Sequence, residues 1–304
     1  MTGPPVVTVL TPNPAVDLTY RVAEQRIGTT QRVLDVARRP GGKGVNVARV
    51  LQSVGARARC VLPLGGASGA WLAEALDVPA TVVPLAGQTR STVTVVDGEQ
   101  HPTMFGEPGP AVTGDEWDEV TERVTREVTS AAFVVAGSLP PGTDPDLVGV
   151  WVRAAGGLAV ADVSGPALLA AAAAGAVCAP NTEELLEATG TADVGAGAHA
   201  LLGLGAPLVV VSRGAAGLTG HSPDGEVHVP AVDGVSGNPT GAGDAATAGL
   251  VLALVRGLPT AGALRWAAAF GAAAVLRPTA GEVDHDALAR FLPDLEPPLD
   301  RSPA

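Results

Sequence analysis

Aromatic residues are scarce in this 304-residue sequence, at 3% of the chain, and only two cysteines occur, Cys60 and Cys178. Two lone thiols in apolar, strand-like surroundings match neither a metal-ligand spacing nor a disulfide framework, which points to a reducing, cytoplasmic setting. Basic residues are in deficit: 19 Lys plus Arg against 31 Asp plus Glu leave a formal charge of −12. A chain this acidic has no nonspecific grip on nucleic acid or an anionic membrane, so any phosphate it binds must be held by local design. Long hydrophobic runs are also missing. The two longest, Ala245 to Val255 and Ala267 to Leu276, fall short of the roughly 20 residues of a membrane span and are expected to be buried helices. Residues 1–5 carry no basic side chain and lead into a β-rich run, so no signal peptide is expected.

Glycine, by contrast, is abundant, at 39 residues, and alanine runs through the second half. The expected core is therefore close-packed Ala-rich helices against Val/Leu strands. Val6 to Leu10 reads as a parallel strand buried on both faces, stopped by Pro12 and Pro14, with Asp17 just beyond its carboxyl end, where α/β sheets bind ligands. As a turn-forming residue, Asp17 has an equally ordinary explanation. From Asp17 to Arg39, and again from Ser91 to Val96 with a turn at Asp97-Gly98, apolar and polar residues alternate as in exposed strands, which predicts a small sheet outside the main one. Pro40-Gly41-Gly42-Lys43-Gly44 then opens a helix. It is not a P-loop, because Gly44 stands where Ser or Thr is required and Ala37 where the first glycine is required. Lys43 still places a positive charge at a glycine-lined helix start. Alternating strands and helices follow, with strands ending at 136, 162, 179 and 212 and a last pair over 217–221 and 226–229 turning at 223–225. This is βαβ repetition, hence a single, largely parallel, doubly wound α/β domain. Pro297 to Ala304 is a Pro-rich tail expected to be disordered, within a segment that starts near 293.

The chain is organised around Asn238-Pro239-Thr240-Gly241-Ala242-Gly243-Asp244. The two glycines let the backbone turn tightly and aim the N–H groups of Ala242, Gly243 and Asp244 at one point, at the positive end of the helix that follows. That makes an anion site with a carboxylate beside it. In isolation Asp244 serves equally well as a helix N-cap. The run Gly241 to Ala246 also fits Gly-x-Gly-x-x-Ala, but a dinucleotide fold needs a following strand and an acidic residue to bind the ribose. No Asp or Glu occurs between Asp244 and Glu282.

Seven separated motifs occur in one order: 11–17, Gly41 to Ala48, Gly87 to Arg90, Gly137 to Gly142, Pro180 to Leu185, Ser212 to Gly217 and Asn238 to Asp244. Together they span nearly the whole chain and resemble the ribokinase-like, PfkB-type carbohydrate kinases. Within that family the chain is most similar to the branch of 1-phosphofructokinase, tagatose-6-phosphate kinase and the minor 6-phosphofructokinase. The resemblance implies a three-layer α/β/α sandwich with a small β lid, from strands near 14–39 and 87–107, that closes over the sugar and pairs in a homodimer. It implies ATP and Mg²⁺ as cofactors and leaves open a monovalent cation such as K⁺. By the same resemblance, Asp17, Gly42, Asn46 and Arg90 hold the sugar, and Lys43, Arg90 and Ser138 lie near the phosphate it already carries. Asn181 and Glu184 organise magnesium through water, Ser212, Gly214 and Gly217 lie along ATP, and Gly241, Ala242 and Gly243 form the anion hole around the base Asp244. Two departures stand out: Ala179 where the family often has Lys, and Arg213 in place of an apolar residue. The expected substrate is a phosphorylated ketohexose, with fructose 1-phosphate first and tagatose 6-phosphate or fructose 6-phosphate next. An unphosphorylated sugar or nucleoside, or a non-catalytic sugar-phosphate sensor on the same fold, are the competing readings.

Overall fold

The computed structural model describes residues 6–97, 102–127 and 131–293. From β1 (Val6–Leu10) the chain leaves the main sheet for β2 (Ala15–Arg21) and β3 (Asp35–Gly41). It returns through α1 (Lys43–Ser53) to β4 (Arg57–Gly65) and continues by α2 (Gly66–Ala75) to β5 (Ala80–Leu85). A second excursion, β6 (Arg90–Val96) and β7 (Pro102–Gly106), precedes α3 (Gly114–Glu127) and β8 (Ala132–Ala136). Next come α4 (Asp146–Ala155), β9 (Ala159–Asp162), α5 (Pro166–Ala173), β10 (Val177–Cys178), α6 (Thr182–Thr189), α7 (Val194–Leu204) and β11 (Val209–Ser212). A hairpin of β12 (Leu218–Ser222) and β13 (Gly225–Val229) leads to α8 (Ala242–Val255), α9 (Thr260–Val275) and α10 (His285–Phe291).

The described strands form a nine-stranded sheet in the order β13-β12-β11-β10-β9-β8-β1-β4-β5, parallel except for β12 and β13 at one edge. Strand residues alternate strictly between two cores. In β8, Ala132, Val134 and Ala136 face the layer that holds α1, α8 and α9, while Phe133 and Val135 face the layer of α3, α4, α5 and α7. Burial on both faces is why these strands read as unbroken apolar runs. Strand order reverses at β1, which lies between β4 and β8. Its carboxyl end is thus the switch point where such sheets leave a crevice for ligands.

The two excursions pair into a separate four-stranded sheet, β3-β2-β6-β7, with β2 and β6 parallel and both outer pairs antiparallel. Side chains from β3 tie this sheet to the body. The Arg38 guanidinium lies 3.8 Å above the Trp71 ring of α2, and Arg39 donates to Glu282 Oε1 at 3.0 Å. Arg49, placed by pattern on the polar side of α1, is buried: it donates to Pro40 O and to Asp77 Oδ1, each at 2.7 Å.

Several sequence expectations need correction. Helices α4, α6 and α7 are not among the sequence expectations: α7, Ala/Gly-rich over Val194 to Leu204, carries little amphipathic contrast, and α4 and α6 span only ten and eight residues. The second lid strand begins at Asp35, so Val33 and Leu34 lie before it rather than in it. Gly98 of the expected turn, residues 128–129 of the expected helix and the tail over 294–304 lie outside the described residues.

Candidate active site

The start of α8 sets the geometry. Its N-cap is Gly241 in the left-handed region (φ 82), and a Cβ there would fall 2.7 Å from the Ala280 backbone, so only glycine fits. The N-cap reading of Asp244 is therefore excluded. Asp244 is the third residue of the helix, buried, and its Oδ2 accepts from Asn46 Nδ2 of α1 at 2.8 Å. Burial, reinforced by the nearby Asp162 charge and opposed by Asn46 and Lys43, pushes its pKa up to about 7. A carboxylate tuned close to neutral pH is what a general base requires.

Asp244, Gly241 and Gly243 line a cleft of about 290 Å³ together with Lys43, Asn181, Glu184 and Ser212. Asp162, at the carboxyl end of β9, and Thr247 also face it. The sequence reading passed over Asp162 as a strand terminus, although an acidic residue at that end of a parallel strand is itself a signal. Lys43 Nζ is 2.8 Å from Asp162 Oδ1 and 3.2 Å from Glu184 Oε1. Burial alone would lower the Lys43 pKa, but Asp162, Glu184 and Asp244 outweigh it and hold the ammonium above the usual lysine range. Asn181 and Glu184 also form a capping box at the start of α6: Asn181 Oδ1 accepts from Glu184 N–H and Glu184 Oε2 from Asn181 N–H, both at 2.9 Å. Their spacing thus has a local cause as well as a place in the cleft. Among the described residues no group of three or more His, Cys, Asp or Glu can hold a metal ion by itself. Two carboxylates already bridged by one ammonium still fit magnesium, which takes most of its ligands from water and phosphate.

Ser212 joins Asn181 in a parallel bridge at the carboxyl ends of β10 and β11, bringing the two nucleotide-side expectations together. Gly214 opens a 3-10 turn with open space around it. Gly217 is required by packing, since a Cβ there would lie 2.2 Å from Val229 O.

The remaining residues lie on or beside the small four-stranded sheet. Asp17 lies on β2, and burial pushes its pKa up to about 6 against the opposing charges of Arg90, Arg49 and Arg39. Gly42 is the N-cap of α1. Arg90 opens β6 and donates from Nε to Asn13 O (3.1 Å) and from Nη1 to Glu107 O (3.0 Å). Asn13, which the sequence reading left unassigned, is buried and donates from Nδ2 to Pro108 O and to Ser138 Oγ. Asn13 therefore links Arg90 and Ser138, whereas Lys43 is directed to the carboxylates of the cleft.

A glycine-rich turn at a helix start, a buried carboxylate raised towards neutral pH and a second polar group of Asp17, Asn13, Arg90 and Ser138 are parts that a phosphoryl-transfer site would need. The chain belongs to the pfkB family of carbohydrate kinases, whose pattern, described as pfkB family carbohydrate kinase, matches residues 11–287. It is 34% identical over 308 residues to the ATP-dependent 6-phosphofructokinase isozyme 2 of Mycobacterium tuberculosis, covering 95% of this chain and 89% of that protein. Solved structures of Escherichia coli phosphofructokinase-2 share the fold at 29% identity, covering 96% of this chain and 99% of theirs. The complex with potassium superposes with a TM-score of 0.89 and that with fructose-6-phosphate with 0.86. The protein is thus an ATP-dependent sugar-phosphate kinase of the PfkB type with a ribokinase-like α/β fold.

Proposed function

We propose that this kinase transfers the γ-phosphoryl group of ATP to fructose 6-phosphate, with Asp244 as general base. The observation that carries the reading is Asp244 itself, buried beside the Gly241–Gly243 turn, near neutral in pKa and bonded to Asn46. The turn's N–H groups face the moving phosphoryl and offset its charge, and Asp244 takes the hydroxyl proton. Glu184 and Asp162 would hold magnesium, which supplies charge neutralisation at the phosphates when bound. Arg90 and Ser138, linked through Asn13, offer the sugar's own phosphate one guanidinium and one hydroxyl, a pairing that a neutral sugar would not need. The names of the relatives move fructose 6-phosphate ahead of fructose 1-phosphate, which the sequence motifs placed first.

The test is an ADP-release assay with fructose 6-phosphate, fructose 1-phosphate, tagatose 6-phosphate, fructose and common nucleosides, repeated with K⁺ replaced by Na⁺. Fructose 6-phosphate should give the highest kcat/KM. A higher value for fructose 1-phosphate restores that substrate, and turnover of a nucleoside alone overturns the sugar-phosphate reading. We also infer that the four-stranded sheet is a lid that pairs between two copies. Val36 and Phe105, on its two outer strands, share one face by register and are 55% and 60% exposed, and an apolar lid surface of this kind needs cover.

A further inference from the structure

Lys43 is the only lysine in the sequence; the remaining 18 of its 19 Lys plus Arg residues are arginines. Its ammonium bridges Asp162 Oδ1 and Glu184 Oε1 at 2.8 and 3.2 Å. The other oxygen of each carboxylate has a neutral donor of its own: Thr247 Oγ1 donates to Asp162 Oδ2 at 3.3 Å, and Asn181 N–H to Glu184 Oε2 at 2.9 Å. The two carboxylates are therefore oriented independently of Lys43, and their remaining oxygens converge on the point its ammonium occupies. A cation arriving there meets oxygens already in place.

Exposure is unequal between the partners. The Asp162 and Glu184 side chains are 6% and 19% exposed, whereas that of Lys43 is 39% exposed. Lys43 is also the first residue of α1, with a flexible four-carbon stem that can carry its charge elsewhere. An arginine would hold the two carboxylates with a planar fork and leave less readily, so the one lysine sits where a compact, displaceable charge is useful. The same cleft contains the anion turn at Gly241 and Gly243, so a released ammonium has phosphates within the cleft to meet.

We propose that Lys43 is an exchangeable counter-ion. In the ligand-free protein its ammonium neutralises Asp162 and Glu184; a divalent cation arriving with the nucleotide takes that place and turns the ammonium towards the nucleotide's phosphates. The proposal rests on the reading of the cleft as a magnesium–nucleotide site. Lysine and metal then compete when no nucleotide is present and cooperate when it is.

The test compares two titrations in wild-type, Lys43→Met and Lys43→Arg proteins: Mn²⁺ binding without nucleotide, read from the free-ion paramagnetic resonance signal, and ADP binding with Mg²⁺. Loss of a competing unit charge should make Lys43→Met bind Mn²⁺ about tenfold more tightly, while the loss of a phosphate partner should weaken Mg·ADP binding about tenfold. Lys43→Arg keeps the charge and leaves less readily, so it should bind Mn²⁺ no more tightly than wild type. Opposite signs in one variant are not expected of a purely structural ion pair. Unchanged or weaker Mn²⁺ binding by folded Lys43→Met, or unchanged Mg·ADP binding, overturns the exchange. Should Lys43→Met fail to fold, wild type decides: ¹⁵N-lysine labelling gives a single side-chain ammonium signal, which should shift when Mg²⁺ and ADP are added. A signal unmoved at saturation overturns the proposal. Wild-type protein that binds no Mg·ADP overturns the reading of the cleft itself.

Discussion

At the scale of single residues, the proposed base is Asp244. Because it is not the N-cap of α8, Asp244→Asn leaves the helix start intact, and the amide oxygen can still accept from Asn46. Turnover should fall by about 10²- to 10⁴-fold, while the melting temperature and ATP binding change little. A variant keeping more than about a tenth of wild-type kcat would rule out Asp244 as the base. The pH profile has a definite sign. Burial raises the Asp244 pKa to about 7, and the base acts in its ionised form, so kcat/KM should climb as pH rises through about 7 and then level off. Asn46→Ala removes the hydrogen bond that favours the charged form and should move this limb to higher pH. A limb at about 4, the ordinary range of an Asp, would mean that another group titrates. Asn13 is a positioning residue. Asn13→Ala should raise KM for the sugar phosphate several-fold and leave KM for ATP near wild type, because Ser138 loses its amide partner at 3.3 Å. Equal effects on both KM values would mark Asn13 as merely structural.

At the scale of elements, α8 has to be held where its first turn meets Asn46, and α9 does this by close approach. A Cβ on Gly249 would lie 2.8 Å from both Phe270 Cγ and Trp266 O. Ala is the better helix former by about 1 kcal/mol, yet overpacking against backbone costs about 1–3 kcal/mol. Gly249→Ala should therefore lower the melting temperature, and a stabilised variant would show that the two helices can separate without cost. The small sheet is tied to the body in part through the contact of Arg38 with Trp71. Trp71→Leu removes the ring beneath Arg38, so hydrogen exchange in β2 and β3 should quicken while the main-sheet amides stay protected. Equal exchange across both sheets would show that Arg38 and Trp71 do not tether the lid. The strands were legible in sequence because period-two alternation and buried apolar runs are local signals. Helices α4 and α6, at ten and eight residues, are short for a periodic signal, and α7 is too uniformly apolar to show one.

At the scale of the whole molecule, the exposed apolar residues of the lid sheet predict assembly. Light scattering should give a dimer for wild type, and Phe105→Glu on β7 should shift it towards monomer, with sugar KM rising as the lid loses its support. A wild-type monomer at all concentrations, with both substrates present, would exclude lid pairing. Among the described residues no helix is long and apolar enough to cross a membrane, as the short hydrophobic runs implied.

The sequence by itself determined the α/β class, the separate small sheet, the anion turn and the identity of Asp244 as the residue beside it. These follow from local chemistry: glycine where the backbone must turn, alternation where one face is exposed, a carboxylate at a helix start. Tertiary structure alone decided what each side chain faces. Lys43 and Arg90, both basic and both near glycine-rich motifs, read alike in sequence, yet one bridges Asp162 and Glu184 and the other spans Asn13 and Glu107. Their partners are supplied by a strand, a helix and loops up to 141 residues away in the chain. Such a pairing is set by the order of strands in the sheet, and no local pattern encodes it.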